Sequence, residues 1–528
     1  MKWDYIVIGA GTAGCVVASR LSEPSNVNVL LLEAGTHDRK IEVKMPVGYP
    51  KVQQTKRDWD YRTTPQRHLN NRILHQPRGK MLGGTGSMNG MIYIRGHQAD
   101  FNDWAKVGNT GWDYESVLPY FKKSEANRDF DNEYHNTNGP MAVGSNHFAH
   151  PLNEAFLKAG QEAGFPLNPD FNGANMEGVG YFQATVANGE RISSANAFWY
   201  PVRKRENLIL QLHCEVNQLI VEKGVCKGVQ ISRKGKTTTI YARKGVICCA
   251  GAINSPKILQ LSGIGDQQQL EGIGITIKEH LPGVGKNLQD HVQYFAGHQC
   301  LLPVSLNTSL KISNLWKYFV SRKGILSASI SATGGFVKTH KDLDRPDIQF
   351  HFVPGIAGDD IHNLKAQPKY DGYMLGLTLL RPKARGTVCL ASKIPQAAPL
   401  IEGNFLNNPL DVETLKRAWP IGKRILEADA FFPFRGDWEL PKKPFENDQQ
   451  LEQYIREKTD SVYHSAGTCR MGQDSEAVCD KHLKVHGIRH LWVADASVMP
   501  TITAGNINAA VVMIAEKLAD HLLHASNS

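Results

Sequence analysis

Tyr5-Ile6-Val7-Ile8-Gly9-Ala10-Gly11-Thr12-Ala13-Gly14-Cys15, with Glu33 nineteen residues beyond Gly14, decides the fold of this chain. The apolar run reads as a short buried strand, the glycines as a tight turn, and the residues from Thr12 as a helix. A second strand is predicted over Val27–Leu32, with Glu33 at its end. Together these are the parts of a dinucleotide site. Gly9 permits the turn, Gly11 lets main chain approach a pyrophosphate, and Gly14 lets the helix pack on the strand. The helix N-terminus offers free N–H groups to the phosphates, and Glu33 can take ribose hydroxyls. A glycine triplet alone is weak evidence; strand, helix and acid in this spacing are not.

The chain has 528 residues, more than one compact core usually holds. Hydrophobic residues make up 41% and charged residues 21%, an ordinary globular balance. No apolar run approaches the roughly 18 residues of a membrane span. Because the first strand begins near Tyr5, loss of a leader would destroy the nucleotide turn, and a cytoplasmic protein is expected. Nine cysteines without CxxC or zinc spacing fit a reducing compartment, and no metal is expected. Adjacent Cys248 and Cys249 read as small hydrophobes in a buried strand. The net charge of +9 is spread along the chain, which speaks for a solvated surface and against a nucleic-acid partner. Peripheral contact with the inner face of a membrane stays open.

After Glu33 the pattern changes. Residues 40–75 are rich in Pro, Lys, Arg and Asn and read as a covering loop. A second glycine cluster, Arg78-Gly79-Lys80-Met81-Leu82-Gly83-Gly84-Thr85-Gly86-Ser87-Met88-Asn89-Gly90, reads as backbone lying against a ligand. Strands are predicted at Leu208–Leu212, Leu219–Lys223, Gly228–Ser232, Thr237–Tyr241 and Val246–Ala250, then a helix over Lys257–Leu261. Alternation at Ile348–Val353 and Tyr373–Leu380 suggests an antiparallel sheet, with helices near 411–428 and 447–458. A strand at His490–Asp495 and a helix at Asn508–Ala525 return to the opening pattern. The expected α/β organisation is therefore a discontinuous Rossmann-like nucleotide domain (1–39, 76–150, 205–291 and 456–528). Beside it stands a substrate domain with an antiparallel sheet flanked by helices (151–204 and 292–455).

The motifs stand in a telling order. Gly9–Gly14 with Glu33 and the 78–90 cluster are followed by Gly251-Ala252-Ile253-Asn254-Ser255-Pro256 and Ser262-Gly263-Ile264-Gly265. Then come Gly283-Val284-Gly285-Lys286-Asn287-Leu288-Gln289-Asp290-His291 and Tyr463-His464-Ser465-Ala466-Gly467-Thr468. In this order the chain resembles the glucose–methanol–choline oxidoreductases over nearly its whole length, with the texture of the bacterial alcohol and choline dehydrogenase branch. The resemblance implies FAD and oxidation of an alcohol by hydride transfer to flavin N5. It implies that Gly9, Gly11, Thr12, Ala13 and Gly14 hold the pyrophosphate, Glu33 and Ala34 the adenosine ribose end, and Val216 the adenine. Gly83, Gly84, Asn89, Gly90, Met91 and Tyr463 would lie at the flavin end, Asp495 and Ala496 by the ribityl and phosphate, and Asn506 and Ala509 beside the ring system. Some members attach the flavin through a histidine just before the asparagine of the second cluster; here that residue is Met88, so non-covalent FAD is expected.

Alcohol oxidation needs a group that takes the hydroxyl proton, and a histidine neutral near pH 7 suits that task. His464 is the candidate base. Asn508 is the expected amide donor to the substrate oxygen, with Asn506 as the alternative. An N-cap role at the last helix is the ordinary reading of Asn508. The expected electron acceptor is a quinone, a dye-like carrier or oxygen. Choline dehydrogenation or oxidation is the first competing reading. A lyase and a light-driven decarboxylase are known on the same fold. His464 and the Leu380-Arg381-Pro382 sequence argue against the decarboxylase, because that branch lacks the histidine and has a cysteine before Arg-Pro.

Overall fold

Tyr5 to Ile8 are buried on both faces because their strand, Trp3–Ile8, lies inside a seven-stranded sheet. Val29–Leu32 and the second half of Lys236–Cys248 flank it, both parallel. Leu208–Gln211 extends the sheet beyond Val29–Leu32, and Leu491–Val493 joins Lys236–Cys248. Strands covered on both faces read as unbroken apolar runs, as Tyr5–Ile8 and Val29–Leu32 do. The computed structural model describes residues 2–145, 149–308, 312–358 and 367–525. Helix Thr12–Leu21 follows the glycine turn and packs on the last helix, Asn508–Ala525. A Cβ at Gly14 would stand 1.8 Å from the Gly9 carbonyl oxygen, so the helix meets the turn backbone to backbone.

Two expectations here are corrected. Thr237–Tyr241 and Val246–Ala250 are not separate strands; Lys236–Cys248 is one strand of 13 residues. Its solvated first half pairs antiparallel with Val225–Arg233, and its buried second half enters the parallel sheet. The helix expected from Lys257 begins earlier, at Gly251. Pro256 cannot donate to the carbonyl four residues back. That carbonyl, of Ala252, instead accepts from the Thr468 hydroxyl at 2.6 Å, so the Tyr463–Thr468 motif stitches the helix.

A second seven-stranded sheet is antiparallel, in the order Arg435–Leu440, Val292–Cys300, Gly372–Leu379, Ile348–Val353, Thr333–Val337, Gly178–Tyr181. Asp460–Ser461 adds to the start of Val292–Cys300. The period-two pattern sorts its faces. Val292, Tyr294, Ala296, Ile348, Phe350, Phe352, Leu375, Leu377 and Leu379 enter one apolar core with residues of helices Pro151–Glu162, Pro409–Leu426 and Asp448–Lys458. The other face carries Gln293, Phe295, Gln349, His351, Val353 and Met374.

Residues 40–75 are more ordered than a loop. They contain helix Ile41–Lys44, a helical turn at Pro46–Lys51, and a strand Tyr61–Arg62 paired with His75–Gln76. Val43 and Val52 bury against Met81 and Met88, and Tyr61 donates its hydroxyl to Asn254 at 2.7 Å. Among the described residues no helix is long and apolar enough to cross a membrane.

Candidate active site

A cavity of about 660 Å3 lies between the C-terminal ends of the parallel sheet and the polar-bearing face of the antiparallel sheet. Gly9, Gly11, Thr12, Ala13, Glu33, Ala34 and Val216 wall it on the first side. Helix Thr12–Leu21 starts at this wall, and no side chain caps it at Gly11. Its terminal N–H groups are therefore available to an anion. The second glycine cluster presses on the first: Gly84 has φ +54°, and a Cβ there would lie 2.7 Å from Gly11 Cα. Glu33 is buried, and its two carboxylate oxygens accept from Ala10 N–H at 2.9 Å and Gly35 N–H at 2.8 Å. Burial pushes its carboxyl up to about 7.

Gly84, Asn89, Gly90, Met91, Tyr463, Asp495, Ala496, Asn506 and Asn508 also line the cavity. Asp495 accepts from Gly251 N–H at 2.8 Å and from the Ser255 hydroxyl at 2.5 Å, so it anchors a second helix N-terminus. Asn89 accepts from buried Arg191 at 2.6 Å and from Met91 N–H at 3.1 Å. Gly14, Gly83 and Ala509 stand behind the wall, where they allow close packing. A cavity of this size with two bare glycine surfaces, an uncapped helix start and a buried acid in its wall fits FAD.

His464 is held from three sides. Its N–H donates to Asp290 at 2.7 Å. The buried Asp290 carboxylate also accepts from the Ser461 hydroxyl at 2.6 Å. The Arg78 guanidinium donates to the Tyr463 carbonyl and the Ser465 hydroxyl, each at 2.6 Å. Tyr463 is thereby kept at φ +65°, a left-handed conformation costly for a bulky side chain.

The ring protons follow from the partners. His291 Nε2 lies 3.1 Å from the Leu380 carbonyl, which can only accept, so Nε2 carries the hydrogen. Burial lowers His291 to about 3, so it is neutral and its Nδ1 is an acceptor. His464 Nδ1, 3.0 Å from that atom, must then be the donor. This leaves the lone pair of His464 on Nε2, where it meets the Asn506 amide nitrogen at 3.3 Å. The Asn506 oxygen accepts from Gln349 at 3.1 Å, which turns its NH2 group toward the histidine. His464 is half-buried against the cavity, and burial, with His291, His351 and Arg78 nearby, holds it well below the ordinary histidine range.

Of the two candidate amides, Asn506 and not Asn508 is the one that reaches His464. Asn508 accepts from the Thr12 hydroxyl at 2.8 Å, at the glycine turn. The chain enters the last helix between them, and the two amides take different partners. Two further site residues, His291 and His351, had no expected role. His351 Nδ1 donates to the Thr378 hydroxyl at 3.0 Å, Thr378 donates to Gln293 at 3.0 Å, and burial lowers His351 to about 4. A signal existed: in Ile348–Val353 the polar Gln349 and His351 alternate with buried Ile348, Phe350 and Phe352, the mark of a strand face turned to a ligand.

Two family models described as GMC oxidoreductase match residues 3–293 and 382–515. An alcohol dehydrogenase [acceptor] of Pseudomonas putida is 39% identical over 527 residues, covering 98% of this chain and 95% of the relative. An oxygen-dependent choline dehydrogenase of Rhizobium etli is 38% identical over 532 residues, covering 99% and 96%. Among solved structures, pyridoxine 4-oxidase from Mesorbium loti superposes with a TM-score of 0.90 at 28% identity over 99% of both chains. With the glycine cradle, the buried acid beside it and the histidine–amide pair, these matches establish that the chain belongs to the GMC oxidoreductases, FAD-dependent enzymes that act on CH–OH donors.

Proposed function

We propose that this chain oxidises an uncharged primary alcohol to the aldehyde, with His464 as the base and Asn506 as the donor to the substrate oxygen. The observation that carries this reading is the lone pair left on His464 Nε2, beside the Asn506 NH2 group and at the cavity wall. A hydroxyl between these groups donates to Nε2 and accepts from the amide. The proton passes to Nε2, and the cation so formed keeps its Nδ1–H on His291. When bound, FAD supplies the acceptor for the two electrons that leave the alcohol carbon. Gly9, Gly11, Thr12, Ala13, Glu33, Ala34, Val216, Gly84, Asn89, Gly90, Met91, Asp495 and Ala496 are the residues proposed to hold it. Met88 lines the flavin end and offers no ring nitrogen for attachment, which supports non-covalent binding. Acid precipitation should then release all the flavin; a yellow pellet after washing would refute this.

The substrate class rests on charge. The second-sheet side of the cavity is lined by Phe295, Val353, Ile356 and Met374, with Gln293, Asn307, Ser329, Ser331, His351 and Gln367 as uncharged polar groups. The carboxylates among the described lining residues are Glu33, Glu215 and Asp495, all on the nucleotide side. A quaternary ammonium has no counter-charge there, and apolar walls favour a neutral alcohol. The relatives named for alcohol and for choline match almost equally well, so overall similarity does not choose. The two sheets support the proposed division into a discontinuous FAD domain and a substrate domain.

The test is an anaerobic titration of the yellow protein with aliphatic alcohols and choline, following the visible flavin band. Bleaching by aliphatic alcohols and not by choline supports the proposal. Bleaching by choline alone replaces it with the choline reading, and no bleaching favours the lyase. The time to recolour in air then reports whether oxygen or another carrier takes the electrons.

A further inference from the structure

We propose that helix Ile312–Ser321 and the segment packed beneath it form a docking surface for an anionic lipid bilayer. Trp316, Phe319 and Val320 are 68%, 55% and 63% exposed. Their spacing of i, i+3 and i+4 places them on one face of the helix. Tyr318 points the other way and is fully buried, packed with Ile325, Leu326, Leu306, Met45 and Val47. The helix is thus anchored through one face while three large apolar side chains stand together in solvent. Single exposed apolar residues are ordinary; three on adjoining turns mark an interaction site.

The surrounding charge names the partner. From Asn314 to Gly324 the chain carries Lys317, Arg322 and Lys323 and no acid. Lys317 and Lys323 are exposed, as are Lys44 and Lys51 on either side of the Met45–Val47 contact. Arg322 is occupied otherwise: it lies 4.8 Å from the Tyr318 ring centre and 3.5 Å from Glu190. Aromatic and aliphatic groups ringed by ammonium groups match the boundary between acyl chains and phosphate head groups. A second copy docked face to face would bring these lysines against their own equivalents, so the charge favours lipid.

The position gives the contact a purpose. Leu306, against which the helix packs, also lines the cavity, together with Asn307, Tyr49 and Pro50. A bilayer at this surface lies against the wall of the active-site cavity, where a lipophilic alcohol or electron carrier can pass without crossing bulk water.

The test is flotation of the FAD-loaded full chain with vesicles of phosphatidylcholine, alone or with about a third phosphatidylglycerol. Binding to the anionic vesicles should be at least about tenfold stronger and should fall at high salt. Trp316→Ser with Phe319→Ser should lose at least about tenfold in binding. Its flavin content should be unchanged, and its turnover of a short soluble alcohol with a dye acceptor should stay within about twofold, a readout independent of lipid. Lys317→Glu with Lys323→Glu should abolish the preference for anionic lipid, which serves as the second test if the first variant does not fold. No binding of the unaltered protein to either vesicle, or equal binding by the variants, overturns the proposal. So does a dimer that the Trp316→Ser/Phe319→Ser variant converts to monomer without any vesicle binding, because a second copy then covers the face.

Discussion

The Nδ1 atoms of His291 and His464 lie 3.0 Å apart, with their rings 89° to one another. Two identical atoms can share a hydrogen bond only if one ring is protonated there and the other is not. The Leu380 carbonyl decides which by binding His291 at its far nitrogen. A backbone oxygen two rings away therefore determines the atom at which His464 can accept a proton.

His464→Ala should retain FAD, because the glycine turn and the uncapped helix start proposed to hold it do not depend on the His464 ring. Flavin reduction by alcohol should fall by about 10^2- to 10^4-fold, the range for loss of a general base. Asn506→Ala should fall less, and Asn508→Ala should act mainly on flavin affinity through its bond to Thr12. Stopped-flow reduction and flavin content separate these outcomes; a larger loss of reduction rate in Asn508→Ala would restore that residue as the substrate contact.

His291→Phe removes the acceptor that holds the His464 tautomer while keeping the packing. The reduction rate should drop by about 10- to 100-fold with flavin content unchanged. Because His464 is lowered well below 6.5, it stays unprotonated through neutral pH, and the acidic limb of the rate profile should lie below the ordinary histidine value. His291→Gln, which can still accept, should recover part of the rate; equal rates in the two variants would reduce His291 to packing.

Buried neutral histidines make stability depend on pH with a definite sign. His291 and His351 are lowered to about 3 and about 4, so between 6.5 and those values the unfolded chain binds protons that the folded chain does not. Stability should fall as pH drops through this window, by up to about 1.4 kcal/mol per pH unit for each histidine. The measurement is the thermal midpoint against pH, where His351→Gln should flatten the slope between pH 6 and 4. An unchanged slope would mean that His351 protonates freely in the folded state.

The two kinds of glycine in the cofactor wall should fail differently. Gly14→Ala places a methyl group 1.8 Å from the Gly9 carbonyl oxygen and should cost folded protein. At Gly90 a Cβ meets nothing within 4 Å, and the residue lines the cavity. Gly90→Ala should fold normally but load less flavin, as judged by the absorbance ratio of visible band to protein. Full flavin loading in Gly90→Ala would move the ring system away from that residue.

Local pattern was enough for the nucleotide half. The strand, turn, helix and acid of Tyr5–Glu33 are contiguous, and each residue's conformational requirement is visible in its own side chain or lack of one. Asn508–Ala525 was also legible to the residue as a helix, because its apolar surface and end signals are local. The division of Lys236–Cys248 between two pairing partners was not, since a strand carries no sign of where its neighbour changes. The same limit applied at the site. His464 could be named from its motif, but its partner could not be chosen between Asn506 and Asn508, two residues apart on the same approach to one helix. That choice depends on the direction each amide takes, which is set by Thr12 and Gln349, 496 and 157 residues away in the chain. Residue types and short-range geometry were determined by the sequence alone. Which lone pair faces the cavity was decided only when the tertiary fold brought Leu380, His291 and His464 into line, because a hydrogen bond is directional and its partners here come from three distant segments.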